Sequence, residues 1–498
     1  MKTILPKKNV NPYYSVFFIL SVGLYIFFSL YGINKAFFLG YDAGVYTQTA
    51  FQHVYGQRLY SELFVSQPPL LIEALSVIIR IFGNNVTATR VLPVFFGLIT
   101  IAASFLISDE LFGKRAAYLT GIFLGITFYF IRWTFEIGAD LPSLAFSLLA
   151  LYFIILYSKT GSLKWVVFSA FFFAVTNAFK QLELFFVFPI CFLLIFRLEP
   201  DRNDLNLTIN GPATRIILAF GIYVGVFLAV LTLIFINYDI SALVSQVLGL
   251  QSEGLFRIKW NRLGRYFGNV FVARQLGLFF LTLASLYYFF RKKRQAFLFF
   301  ILLILSQVVF HALMSTWLWG HHLIVLITIF TIVYAGGVDW FLQKIKRLRA
   351  DMGGLKRAGG KLLFSLFILT IIGVFTQNIL LNIRDMRKVK KGPTVEELNL
   401  LNLIENHTER EDLIICDNQI TLFRSNRFTT PHLVDTSEKR ILTGDLDETL
   451  LISQAQDVKM VIFWLNRLIR APQFYRYVKD NYTLIYKKDG REVYLKEE

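Results

Sequence analysis

The sequence predicts a polytopic α-helical membrane protein of about eleven transmembrane helices, with interfacial helices in its first outer loop and a small C-terminal α/β domain. Three observations carry that expectation. The 498-residue chain is 55% hydrophobic and 16% aromatic, too apolar for a soluble protein of this length. Its apolar residues fall in runs close to the ~20 needed to cross a bilayer. After residue 391 the composition turns polar, and helix-like and strand-like stretches alternate.

Taken in order, the first apolar run extends from Tyr13 to Ile33. Lys2, Lys7 and Lys8 precede it and no small-residue cleavage site follows, so it reads as a retained signal-anchor helix. Further runs lie at 90–108, 116–131, 141–157, 165–179, 182–197, 215–237, 273–290, 296–314, 322–338 and 362–381. The formal net charge of +17 could suggest nucleic acid, but the location of the excess argues otherwise. With the N-terminus inside, the inner segments carry 21 basic residues against seven acids, the pattern of the positive-inside rule. One stretch disagrees: Arg384 to Lys391 holds five basic residues on the side that this topology makes outer. The polar part beyond it is of a size that crosses largely regardless of charge. The expected division is a transmembrane unit, 1–391, and an extracytoplasmic α/β domain, 392–498, in the plasma membrane. Cys191 lies in an apolar run and Cys416 in the polar part, which argues against a disulfide and leaves no cysteine pair at metal-ligand spacing.

The outer loop at 34–89 is unusual. It sets Asp42 among Gly40, Tyr41, Gly44 and Tyr46, passes through Gly56-Gln57-Arg58-Leu59-Tyr60 to Pro68-Pro69, and ends in Leu70 to Phe82. That last piece is too short and too charged to span, carrying Glu73 and Arg80, and reads as an interfacial helix. In the C-terminal part, a helix over Val395–Asn406 precedes strands at Asp412–Asp417 and Lys459–Leu465 and a helix near Arg470–Asp480. A terminal hairpin pairs Thr483–Tyr486 with Glu492–Leu495 around Asp489-Gly490. No glycine-rich nucleotide-binding motif is present.

Outer loops and span ends, the C-terminal part aside, hold the acids Asp42, Glu62, Glu73, Glu136, Asp140, Glu183, Asp239 and Glu253. Asp42 fits two roles: a general base partly desolvated at the bilayer surface, or a turn aspartate accepting backbone hydrogen bonds beside its glycines. Asp140, before Leu141-Pro142, fits a helix N-cap as well as a group orienting a partner. Lys180 sits at a membrane interface, where lysines snorkel. Arg257, Lys259, Arg262 and Arg265 are interleaved with Phe256, Trp260, Tyr266 and Phe267, a pattern for anchoring lipid headgroups or holding a phosphate. His321 and His322 suit interface or capping roles better than metal ligation. All fall on the outer face. Nucleotide-activated sugars are scarce there, so a transferase on that side needs a membrane-borne donor.

Several motifs occur together and in order: Tyr41-Asp42-Ala43-Gly44-Val45-Tyr46, Gly56-Gln57-Arg58-Leu59-Tyr60, Gln67-Pro68-Pro69-Leu70, Gly113-Lys114-Arg115-Ala116-Ala117, Gly138-Ala139-Asp140-Leu141-Pro142, Phe179-Lys180-Gln181 and Gly320-His321-His322-Leu323. Through them the chain resembles the GT-C fold of integral-membrane glycosyltransferases, in the group of protein O-mannosyltransferases and lipid A aminoarabinose transferases. The resemblance implies a polyprenyl-phosphate-linked sugar donor and inverting transfer to a lipid, glycan or protein hydroxyl. It implies that Asp42 takes the acceptor proton, and that Asp140 with Glu136 holds the loop or acceptor. Lys180, Arg257, Arg262, Arg265 and His322 would face the donor phosphate. A divalent metal is left open. The chain departs from the family in carrying His322 where a tyrosine is frequent, and a single acid where many members have two adjacent ones. The rival readings are a lipid or polysaccharide transporter, which would place ionisable groups in mid-span, and a non-catalytic membrane scaffold.

Overall fold

The apolar runs fold into helices packed side by side, and the polar C-terminal residues sit on one end of that bundle. The structure, a computed structural model, describes residues 12–35, 40–198, 207–249, 258–292, 294–314, 318–351, 354–389 and 394–497. The membrane part begins with α1 (Pro12–Lys35), α2 (Tyr41–Val54), α3 (Leu70–Phe82), α4 (Val86–Phe112), α5 (Lys114–Ile126) and α6 (Phe128–Trp133). It continues with α7 (Asp140–Thr160), α8 (Lys164–Phe179), α9 (Val187–Ile195), a short antiparallel pair β1 (Phe196–Leu198) and β2 (Leu207–Ile209), and α10 (Ala213–Phe235). Then come α11 (Ile240–Val244), α12 (Trp260–Phe267), α13 (Leu276–Lys292), α14 (Arg294–Leu313), α15 (Ile324–Asp351) and α16 (Gly354–Val389).

Helix ends follow local chemistry. Asn85 caps α4 by accepting from the Ala88 N–H at 3.1 Å, satisfying one of the orphan donors of a helix N-terminus. Gly113, at φ +92°, turns the chain back into α5, a conformation that glycine adopts without a Cβ clash. Helix α3 occupies Leu70–Phe82, the bounds expected for the interfacial piece. The run at 182–197 departs from expectation. Lys180 is extended, Gln181–Phe186 forms a 3₁₀ turn, and only α9 is α-helical.

Among the described residues, five helices are long and apolar enough to cross a membrane, in the ranges Pro12–Ile33, Val86–Phe112, Asp140–Thr160, Ala213–Phe235 and Gly320–Lys344. A pair bent by 96°, Trp260–Phe271 with Leu276–Arg291, would make a sixth, and shorter apolar helices accompany them. The chain is an integral membrane protein. Several of the eleven expected spans rest on these shorter pieces, such as Lys164–Phe179 and Phe297–Leu313.

Beyond residue 393 the chain forms α17 (Val395–His407), β3 (Ile414–Cys416), α18 (Gln419–Ser425), α19 (Glu438–Thr443), α20 (Glu448–Ala455), β4 (Met460–Phe463), α21 (Pro472–Asn481), β5 (Thr483–Lys488) and β6 (Arg491–Leu495). The four strands lie in the order β3-β4-β6-β5, β3 and β4 parallel and the other pairs antiparallel. Asp489 and Gly490, at φ +50° and +76°, make the tight turn between β5 and β6 that their residue types favour. Apolar clusters cover both faces of this sheet. Ile420, Phe423 and Val434 instead join the core of the helical part, so that core extends into the C-terminal part.

Candidate active site

Asp42 lies in the first turn of α2, where a carboxylate is favoured by the helix dipole. The turn expected there is a helix of 14 residues. Asp42 is exposed and, among the described residues, makes no hydrogen bond or ion pair. Gly44 serves packing: a Cβ on it would lie 2.6 Å from the backbone nitrogen of Ile420, so α18 can approach α2 only over a glycine. Around this contact Gln48 Nε2 donates to the Arg427 carbonyl at 2.9 Å and Gln52 Nε2 to that of Thr429 at 2.7 Å. Tyr46, one turn on from Asp42, is buried. Burial, then the charges of Asp42 and Asp140, push its phenol well above the ordinary range, so it stays neutral.

Asp140 begins α7, but its side chain does not cap that helix. The capping expectation is corrected: the carboxylate accepts from Lys180 Nζ at 2.8 Å, with side chains 15% and 8% exposed. A nearly buried charge needs such a partner, and the extended backbone of Lys180 between α8 and the 3₁₀ turn delivers it. His321 Nε2 lies 3.9 Å from one oxygen of Asp140, and His322 Nε2 lies 4.0 Å from the other. The Trp319 N–H donates to His322 Nδ1 at 3.3 Å, in keeping with the expected capping role, and this leaves the proton of a neutral His322 on Nε2, facing Asp140.

Asp140, His321 and His322 also bring three ligand atoms within 4.8 Å of one another. The Lys180 ammonium already neutralises the one carboxylate of that set. It occupies Oδ1, while Oδ2 faces His321. Glu136 pairs with Arg132 at 3.1 Å, and Arg132 also meets Asp385 at 3.4 Å. Burial raises the Glu136 carboxyl above its ordinary value, Arg132 opposing that rise.

Two cavities meet at Asp42. The smaller, about 300 Å³, is lined by Asp42, Glu136, Asp140, Trp133, Trp319, His321 and Arg467. The larger, about 600 Å³, has polar walls from Lys180, Lys259, Arg262, His322, Asp435 and Lys439, and apolar walls from Leu184, Phe185, Leu248, Phe310 and Met314. Tyr41, Asp42, Tyr46, Trp319, His321 and Arg467 line both. Arg262 stacks over Trp319 at 5.0 Å, and its Nε donates to the Leu318 carbonyl at 3.1 Å. Of the expected residues, the structure gathers Asp42, Glu136, Asp140, Lys180, Arg262 and His322. Arg265 is exposed and lines only a neighbouring recess, which it shares with Lys259, Arg262 and Trp319, and it does not reach either of the two cavities. Arg257 lies outside the described residues.

The residues missed by sequence come from the C-terminal part. Asp435 accepts from the Tyr41 hydroxyl at 3.1 Å and the Ser66 hydroxyl at 2.8 Å, and Arg467 stacks on the Tyr41 ring at 3.6 Å. Arg440 reinforces the junction, lying over the Phe64 ring at 3.4 Å and donating to the Asp435 carbonyl at 2.6 Å. No local pattern marks these groups, which lie far along the chain from α2.

Residues 66–235 match the family of dolichyl-phosphate-mannose-protein mannosyltransferases. No curated protein matches the chain by sequence. Among solved structures, the chain is similar to ArnT from Cupriavidus metallidurans bound to undecaprenyl phosphate, at 13% identity over 97% of this chain and 98% of that one, TM-score 0.62. It is similar also to the oligosaccharyltransferase of Archaeoglobus fulgidus in its apo form, at 13% identity over 99% and 75%, TM-score 0.59. The same archaeal enzyme tethered to an acceptor peptide with the NVT sequon gives 12% identity over 99% and 74%, TM-score 0.57. The chain therefore has the GT-C fold.

Proposed function

We propose that the chain is a glycosyltransferase of the plasma membrane, moving a sugar from a polyprenyl-phosphate donor to an acceptor hydroxyl on the extracytoplasmic side, with Asp42 as general base. The observation that carries this reading is the meeting of two unlike cavities at one unpaired carboxylate. The larger joins cations to an apolar wall, which suits a lipid phosphate. The smaller joins indoles to carboxylates, which suits a hydroxyl-rich acceptor. The family match over 66–235 and the GT-C fold favour the same chemistry.

In this mechanism the acceptor O–H gives its proton to Asp42 as its oxygen bonds to the anomeric carbon. The bond from that carbon to the phosphate oxygen breaks, and the electron pair leaves with the polyprenyl phosphate. Attack from the face opposite the leaving group inverts the anomeric centre. Lys180, held by Asp140, and Arg262 stabilise the charge that grows on the phosphate. His322 faces the donor phosphate from the wall of the larger cavity, and Glu136 borders the acceptor. The C-terminal α/β part lies outside with the site that it covers. The test is release of polyprenyl phosphate from a labelled polyprenyl-phosphate sugar: the wild-type chain should catalyse it and Asp42→Asn should not. Equal release by both would overturn the assignment.

A further inference from the structure

We propose that Arg467 is an anion receptor built into the C-terminal part, gripping the phosphate of the lipid donor where the two cavities join. The membrane helices by themselves would then form an incomplete site. The inference rests on the donor class proposed above.

Three observations carry it. The first is position, since Arg467 lines both cavities and sits against Tyr41, the neighbour of Asp42. The second is availability. Lys180 is engaged by Asp140, Arg262 by the Leu318 carbonyl, and Arg440 by Asp445 at 2.6 Å and by backbone carbonyls. The Arg467 guanidinium, by contrast, makes no hydrogen bond or ion pair among the described residues, and its central carbon sits 3.6 Å from the centre of the Tyr41 ring. A planar fork with its donors open is the geometry that pairs two N–H groups with two phosphate oxygens.

The third observation is preorganisation. The turn after β4 is wrapped around the buried carboxylate of Asp417, whose oxygens accept from the N–H groups of Trp464 at 2.7 Å, Leu465 at 2.8 Å and Arg467 at 2.9 Å. Asn466, inside that turn, adopts φ +58°, a left-handed conformation that costs a non-glycine residue free energy and that asparagine tolerates better than most. The ring beneath the guanidinium is fixed as well, because the Tyr41 hydroxyl donates to Asp435. Three backbone hydrogen bonds to a buried carboxylate thus fix the turn that carries this arginine. The apolar wall of the larger cavity makes a lipid phosphate the anion that fits.

The experiment uses the full-length protein in lipid nanodiscs and measures the affinity for undecaprenyl phosphate and for uncharged undecaprenol. The ratio of the two reports the headgroup and is insensitive to general loosening of the apolar wall. Wild type should prefer the phosphate. Arg467→Ala should reduce that preference roughly ten- to a hundredfold, the range for hydrogen bonds to a charged group, and Arg467→Lys should restore part of it through its point charge. A preference unchanged in Arg467→Ala overturns the role of Arg467 while leaving the donor class standing. A wild-type protein that binds both lipids equally overturns the donor class and this inference with it.

Discussion

Gly44→Ala tests whether the C-terminal part is seated on α2 as tightly as the geometry requires. The added methyl would come within 2.6 Å of the Ile420 backbone nitrogen, 3.3 Å of the Ile420 Cβ and 3.4 Å of the Gln419 carbonyl carbon. The nearest atom is main chain, so α18 itself must move. Overpacking of this kind costs about 1–3 kcal/mol, and the main-chain clash puts it in the upper half of that range. Alanine in a helix interior returns about 0.5–1 kcal/mol relative to glycine. The net is a loss of about 1–2.5 kcal/mol in the docking of α18. Hydrogen exchange of the Gln419–Ser425 amides reads this directly, and protection should fall roughly five- to seventyfold. Gly40→Ala is the matched control, because its Cβ would meet only Glu136 Oε2 at 3.5 Å; exchange in α18 should stay at the wild-type level. Protection in Gly44→Ala equal to or above wild type would refute the reasoning, as would an equal loss in Gly40→Ala.

Lys180→Met leaves the Asp140 carboxylate 15% exposed without its ammonium, and should destabilise the protein by about 3 kcal/mol. The double variant with Asp140→Asn should recover most of that, and an equilibrium double-mutant cycle that gives simple additivity would contradict the pair. His53 Nε2 lies 3.3 Å from Glu73 Oε1, joining α2 to α3, and Tyr238 also donates to that oxygen at 2.7 Å. The hydrogen bond to Glu73 raises His53 above its ordinary 6.5, so its contribution is complete below that value and fades as pH rises through the folded-state value. The bond from His53 lowers Glu73 below its ordinary 4.5, so its contribution is present above that value and is lost as pH falls through the folded-state one. The link is strongest between roughly 4.5 and 6.5, and melting temperature followed against pH should lose this maximum in Glu73→Gln. An identical profile in that variant would rule the link out as a source of pH dependence.

Much of the architecture could be read locally because it is encoded locally. The apolar period and charge of Leu70–Phe82 define α3, and Asp489-Gly490 announces its hairpin through two residue types that accept positive φ. The membrane class followed from composition. What escaped reading depends on distant contact. Asp42 belongs to a helix because α2 is clamped beneath α18, and Gly44 is there for the approach of Ile420, which nothing near residue 44 signals. Asp140 looked like a cap, since the partner that takes its carboxylate comes 40 residues later, at the end of the next helix. Arg265 seemed equivalent to Arg262, and both do line one recess, but only Arg262 also reaches the larger cavity. Arg467 and Asp435 had no motif at all; their meaning comes from the surface on which their segments land.

The measurement that bears most directly on the central claim is turnover of Asp42→Asn with a polyprenyl-phosphate sugar, alongside its affinity for polyprenyl phosphate. Asparagine keeps the size of the side chain at an exposed position that holds no structural bond, so folding and lipid affinity should match wild type. Loss of a general base should lower kcat by about a hundred- to ten-thousandfold. Normal turnover in a folded Asp42→Asn protein would contradict the account.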